Sequence, residues 1–322
     1  MSANRRDDPE LRLPGSQKRS NFRKDRVLWI AGGELLRNLP YMPRSSVFEE
    51  ISAVKSICQQ IGFGQVVPTL LKAAHHTSLL IAKYKIVARV QSGEPIAKAN
   101  ECAGREVVVT RYLADRGAPT LAPIADFGGP YVRDSIVVTL WPYADQRRTA
   151  SEADASVAAM SLAKVHKALR DFDGKLLPYT ETLDRCWATL SRDHCLVIPE
   201  TDKRLLKSEF RRLRHLIEGI DGRWAALHGD SHLDNLLLDI DGGSPLWIDF
   251  EDTCLGPREY DIANLPAEAW PMFTDTDPQL VAVFALLKSV CVAVWCLADP
   301  GRSHEMQEAA DYHLGVVRDW AR

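Results

Sequence analysis

Two neighbouring segments constrain the fold more than any other part of this sequence: His228-Gly229-Asp230-Ser231-His232-Leu233-Asp234-Asn235 and Trp247-Ile248-Asp249-Phe250-Glu251-Asp252. Between them run two β-rich stretches, 236–239 and 246–250, with Asp241-Gly242-Gly243 at the turn. A hairpin there returns the chain to its start and sets Asp249 beside Asp230 and Asn235. Three hard-oxygen side chains then share one place. Magnesium prefers such ligands, usually one or two carboxylates completed by substrate phosphates. The plain alternative is an acidic hairpin whose Asp230 caps a helix. His228 and His232 flank Asp230 at a spacing that can hold zinc, but a convincing third ligand is missing.

The rest of the chain falls into two parts. Helical periodicity covers 48–61, where Ile51, Val54, Ile57, Cys58 and Ile61 share a face and Gly62 ends the run. Strand-like runs follow at 78–82 and 86–90, with Lys83-Tyr84-Lys85 as the turn. A helix is expected over 101–115, capped by Asn100 and stopped by Gly117 and Pro119. Strands are expected again at 124–127 and 135–140. After Trp141-Pro142-Tyr143 the pattern becomes helical, with long helices over 152–170 and 202–218, a short strand at 224–227, the hairpin, and helices from Tyr260 onward. The expected division is a basic tail over 1–26, a small lobe over 27–140 and a larger helical lobe over 141–322. A cleft between two lobes is where a ligand binds.

Charge and apolarity narrow the class. The net charge of −3 hides an uneven distribution: between Asp221 and Asp277 there are 13 acidic residues against two basic ones, Arg223 and Arg258. Elsewhere 30 acidic residues face 38 basic ones. An acidic cleft favours a cationic ligand, yet metal sites and solvated loops are acidic anyway, and both accounts stand at this point. The tail lacks the apolar core of a signal peptide and the interleaved aromatics of a single-strand binder, so no nucleic-acid partner is expected. Residues 280–298 are apolar over the length of a bilayer crossing. Lys288 sits in their middle, where a charge costs about 2.5–3.5 kcal/mol, so the stretch reads as a buried helix and no membrane partner is expected. Seven cysteines without a CxxC pair read as reduced thiols of a cytoplasmic protein.

The motif His228-Gly229-Asp230-Ser231-His232-Leu233-Asp234-Asn235 followed by Ile248-Asp249-Phe250-Glu251-Asp252 resembles the catalytic loop and metal-binding segment of the aminoglycoside phosphotransferase and choline kinase-like family. The resemblance runs over about 54–267 and is densest from Leu227 onward. It implies an α+β, bilobal protein kinase-like fold and transfer of the γ-phosphate of ATP (or GTP), with Mg²⁺, to a hydroxyl of a small molecule such as an aminoglycoside or amino alcohol. Phosphoryl transfer asks mainly for positioning and charge neutralisation. By the resemblance Asp230 is the catalytic residue, Asn235 and Asp249 hold the metal, and Asp261, in Gly256-Pro257-Arg258-Glu259-Tyr260-Asp261-Ile262-Ala263, ties the catalytic loop down. His228 becomes a packing residue and His232 a loop-shaping one. On the nucleotide side, Arg89 takes the place of the family's phosphate-binding Lys, paired with Glu106 on a helix.

The phosphate-covering loop falls near 74–78 and contains no glycine, so Thr77 and Ser78 are the expected donors there. Trp141 sits where the family's hinge holds the base. The glycine-free loop and Arg89 leave a second reading open: a catalytically silent nucleotide-binding regulatory module of the same fold.

Overall fold

The computed structural model describes residues 45–322 apart from 74–75, 146, 193–195, 197, 221–223, 241–243 and 299–301. The expected tail, His75 and the Asp241-Gly242-Gly243 turn lie outside the described residues. The first helix, α1 (Val47–Gln60), begins at a capping box: the Ser46 hydroxyl accepts from Glu49 N–H, and the Glu49 carboxylate accepts from Ser46 N–H. It ends before Gly62, whose φ of +91° suits a residue without Cβ. Its buried face, Ala53, Val54, Ile57 and Cys58, covers the outer face of an antiparallel sheet.

That sheet contains β1 (Thr69–Ala73), β2 (Thr77–Ile81), β3 (Ile86–Gln91), β4 (Tyr131–Arg133) and β5 (Ile136–Pro142), in the order β1-β2-β3-β5-β4. Lys85, at φ 51°, closes the β2–β3 turn. Two expectations fail here, and one strand is new. β1 has no signature in the sequence because it is an edge strand exposed along its whole length, and so has no alternation. Residues 124–127 form a turn instead of a strand: Ile124 N–H donates to Leu140 O, while Ile124 and Phe127 pack on the sheet core. The helix α2 (Ile96–Asp115) starts after Pro95, so Asn100 lies inside it and caps nothing. Proline suits a helix entrance because it has no amide hydrogen to leave unsatisfied.

α2 joins the two lobes. Ala99 and Ala103 pack on Val137 of the sheet, whereas Val109 and Leu113 belong to the core of the second lobe. Glu106 lies between them on the same buried helix face.

The second lobe contains β6 (Arg147–Thr149), α3 (Ala155–Leu169), α4 (Thr180–Ser191), α5 (Glu200–Leu216), β7 (Ala225–Leu227), β8 (Leu236–Asp239), β9 (Leu246–Trp247), β10 (Cys254–Gly256), α6 (Arg258–Ile262), α7 (Pro278–Ala298) and α8 (His304–Trp320). The hairpin is β8–β9, with Leu236 opposite Trp247. Its second strand is shorter than expected, because the chain leaves the ladder after Trp247 and Asp249 adopts φ +67°. Pro119 O accepts from Trp247 N–H, which anchors the hairpin to the segment after α2. α7 is long and apolar enough to cross a membrane by length and composition, but 83% of its apolar window is buried. It forms the centre of the helical lobe, against α4, α5, α6 and α8.

Candidate active site

The loop from His228 to Asn235 connects β7 to β8. Asp261, the fourth residue of α6 and fully buried, holds it from below. Its carboxylate accepts from His228 N–H at 2.8 Å and Gly229 N–H at 2.9 Å, and meets His166 Nε2 of α3 at 2.8 Å. Ser231 Oγ donates to Asp261 O. Burial alone would raise the Asp261 carboxyl; His166, His228 and the backbone donors outweigh it and hold it below its ordinary value. Gly229 has φ +90°, and a Cβ there would run into the carbonyl of Asp252. Only glycine fits.

This clamp sets Asp230 at the cleft, with its side chain 17% exposed. Asp230 Oδ2 lies 3.2 Å from His232 Nε2, and Oδ1 lies 3.7 Å from Lys288 Nζ. Burial pushes the Asp230 carboxyl up, but His232 and Lys288 overcome this and keep it well below the usual carboxylate range. His228 is fully buried against Phe250 and Trp247. Its Nε2 bonds Ile248 O at 3.1 Å and its Nδ1 accepts from Asp230 N–H at 3.3 Å. Both ring nitrogens are therefore committed to backbone. The zinc alternative fails on this point, since the lone pair it needs is engaged.

Asn235 and Asp249 come together because Ile248 N–H donates to Asn235 O at 2.9 Å, immediately beyond the β8–β9 ladder. The Asn235 amide nitrogen donates to Asp230 O at 2.9 Å. Asn235 Oδ1 and Asp249 Oδ2 accept no hydrogen bond among the described residues.

Across the cleft stands Arg89 of β3. Its guanidinium donates to Glu106 at 2.8 Å and to Asp249 at 2.7 Å, and lies 3.2 Å from Glu251. Three carboxylates thus surround one guanidinium. Burial raises the Glu106 carboxyl against the pull of Arg89, and Asp249 and Glu251 push it the same way. Such an excess of negative charge, with two uncommitted hard oxygens beside it, fits a divalent cation. Among the described residues no three His, Cys, Asp or Glu side chains form a ready-made metal group; a magnesium site commonly draws part of its shell from substrate phosphates.

The remaining candidates separate. Ser78 lies directly opposite Arg89 in the β2–β3 register, and Thr139 lies opposite it on β5. Thr77 is corrected: it is a strand residue with no exposed surface, paired with Val90, and its hydroxyl cannot reach a ligand in the cleft. Of the loop itself, His76 reaches across to Glu251 at 2.9 Å. Trp141 faces the same side as Arg89, buried, with Nε1–H donating to Thr139 Oγ1 at 2.8 Å.

Two site residues escaped the sequence reading. Glu251 joins the lobes: its side chain also accepts from Gln91 at 3.1 Å, and its carbonyl accepts from Arg105 at 2.6 Å. Lys288 is legible in the sequence only as a charge in an apolar run.

The family model described as the phosphotransferase enzyme family matches residues 85–288, from β3 through Lys288. The chain belongs to that family. No curated protein matches it significantly. Among solved structures, the GDP and kanamycin complex of the aminoglycoside phosphotransferase APH(2")-IIia superposes with a TM-score of 0.64 at 14% identity, over 84% of this chain and 98% of that one. A microcompartment-associated aminopropanol kinase gives 0.62 at 16%, over 80% and 92%. A choline/ethanolamine kinase family protein from Mesorhizobium loti gives 0.61 at 15%, over 86% and 95%. At these identities the likeness shows the fold, which is kinase-like and bilobal. With the family match, the chain is a small-molecule phosphotransferase of kinase type.

Proposed function

We propose that the chain transfers the γ-phosphoryl group of ATP or GTP to a hydroxyl of a small molecule, with residues to 140 holding the nucleotide and residues from 141 carrying the catalytic loop and the acceptor. The observation that carries this reading is the convergence of Asp230, Asn235 and Asp249 on one side of the cleft, opposite Arg89. Asn235 Oδ1 and Asp249 would hold Mg²⁺, which when bound neutralises the phosphates. Arg89, steadied by Glu106, binds phosphate oxygens through its forked donors, with Ser78 beside it. Trp141 lies along the base side of the cleft.

Asp230, kept ionised by His232 and Lys288, accepts the hydrogen bond of the acceptor hydroxyl and so aims its oxygen at the γ-phosphorus. The new O–P bond forms as the bond from that phosphorus to the β–γ bridging oxygen breaks. The hydroxyl proton passes to Asp230 and a nucleoside diphosphate leaves. The six described cysteines are buried, and the sequence has no CxxC pair, which supports a cytoplasmic setting.

Asp230→Ala should cut turnover by roughly a thousandfold or more while leaving nucleotide affinity within a few-fold, because a group that acts on the moving proton contributes little to ground-state binding. Product formation is read as the mass gain of the acceptor, and nucleotide binding by calorimetry. Full turnover in Asp230→Ala would overturn the assignment. A silent regulatory module would bind nucleotide with Mg²⁺ and modify no acceptor, so the same experiment separates it.

A further inference from the structure

Lys288 is the one charged side chain on the central helix α7, and it enters a small cavity lined by Thr182, Asp230, Asp252, Tyr260, Lys288 and Trp295. Asp230, which on the reading above receives the acceptor hydroxyl, lines this same cavity. The Lys288 side chain is only 10% exposed, and an ammonium brings three donors. Its nearest partners are distant: Gly229 O at 3.5 Å, Asp230 Oδ1 at 3.7 Å, and the Tyr260 ring centroid at 4.7 Å. A buried ammonium with only long contacts has donor capacity left for a ligand oxygen.

The carboxylates of this cavity are already matched by the protein. Asp230 has Lys288, and Asp252 has Arg185 Nη2 at 3.7 Å. Of the two aromatic residues in the lining, Tyr260 already has its ring face taken by Lys288. Several other carboxylates of the acidic segment, outside the Arg89 cluster, are matched as well. Asp261 clamps the loop, Asp239 pairs with Arg147 at 2.9 Å, Asp275 pairs with Arg258, and Asp277 accepts from Gln279 N–H at the start of α7.

We propose that Lys288 fills, with the protein's own ammonium, the position where a cationic acceptor would place its amino group, so that the enzyme takes an acceptor with oxygen rather than nitrogen beside the reacting hydroxyl. The acceptor class is then a polyol, a sugar without amino groups or a hydroxy acid, and Lys288 donates to that neighbouring oxygen. This rests on the phosphotransferase reading above. An amino-bearing acceptor would bring a second ammonium against the first in a desolvated space, which is a strong ground for rejection.

The test uses matched acceptors with MgATP and MgGTP: glycerol against serinol, glucose against glucosamine, glycerate against serine. Wild-type protein should favour the oxygen member of the accepted pair by about a hundredfold in kcat/KM, the scale of one repulsive contact in a closed site. Lys288→Met, which buries no new charge and preserves side-chain length, should raise the acceptor KM about tenfold, as expected for one lost charge-assisted hydrogen bond. Its nucleotide KM should stay within about twofold, since the change removes no phosphate contact. Lys288→Arg should restore part of the acceptor affinity with the same preference, and Lys288→Ala should narrow the gap to the amino member. Preference for the amino members in wild-type protein would overturn the proposal. So would an unchanged acceptor KM in Lys288→Met, or nucleotide binding without turnover of any oxygen-only member. Absence of nucleotide binding, read separately by calorimetry, would instead strike the phosphotransferase reading itself.

Discussion

The two sides of the cleft are built differently. On the helical side, the catalytic loop is held by groups that have no reason to move: Asp261 takes two backbone N–H groups and His166, and His228 spends both ring nitrogens on backbone. On the sheet side, Arg89, Glu106, Asp249, Glu251 and His76 are held to one another by ion pairs that span the cleft. The first arrangement is finished before a ligand arrives. The second is one that phosphates and a cation must rearrange, because Arg89 engages the same Asp249 that would face the metal. On the proposed function, fixed geometry serves the reacting oxygen and exchangeable charge serves the nucleotide.

The strongest way to break this contrast is Asp261→Asn. It removes a buried charge and, since Asn keeps only one of the two oxygens, turns a donor toward one of the two N–H groups, His228 or Gly229. We expect a loss of roughly 3 kcal/mol or more of stability, the scale for breaking a buried charged network, together with loss of turnover. Urea denaturation and a product assay read the two effects. A variant that unfolds at the wild-type midpoint would show that the loop does not depend on its clamp.

Arg89→Met tests the other side. It should raise the nucleotide KM by about tenfold or more through loss of forked phosphate contacts, with a smaller stability change than Asp261→Asn. It also leaves Glu106, Asp249 and Glu251 without their guanidinium, so added Mg²⁺ should raise the variant's Tm more than the wild type's. Equal Mg²⁺ responses in the two proteins would argue against a cation site at these carboxylates.

The effect expected to touch activity least lies outside the cleft. Buried His313 of α8 is pushed down to about 4 by desolvation, below its ordinary value of 6.5. The folded state therefore favours neutral imidazole. Above pH 6.5 both states are neutral and the group costs nothing. As pH falls from 6.5 toward 4 the unfolded chain binds the proton first and stability declines, by at most about 3 kcal/mol at one pKa unit per 1.36 kcal/mol. His313→Gln should flatten that acid limb without altering the acceptor preference. A limb of unchanged slope would assign the decline to other groups.

The same contrast governs what could be read from sequence. The catalytic side was legible because its parts are close in the chain: a loop, a hairpin and a second acidic segment, with Asp261 soon after. Arg89 and Glu106 were legible as a strand and a helix residue of a familiar pattern, and they meet at 2.8 Å. Short or edge elements such as β1, β6 and β10 left no periodic trace, and the chain's departure from the ladder at Ile248 depends on backbone geometry that alternation does not encode. The failure at Asn100 was of another kind. Asn100 is a good capping residue, but Pro95 has already opened the helix before it. Glu251 was one acid among many, and only the folded chain shows it joining β3, α2 and the loop before β2. Lys288 was hidden by its apolar neighbours, since a charge that argues against a membrane span says nothing of where it points.

α7 carries Lys288 and Trp295 into the cavity beside Asp230, the proposed acceptor site, while its other faces fill the centre of the helical lobe. A residue mounted on a surface loop can drift through intermediates that cost the host little. One mounted on this helix cannot, because each trial substitution is also a trial of the lobe's packing. New acceptors should therefore be reached in this lineage through the more peripheral lining of the cavity, at Thr182 and Asp252, long before position 288 changes. Laboratory evolution toward an amine-bearing acceptor should stall unless a stabilised starting sequence is used.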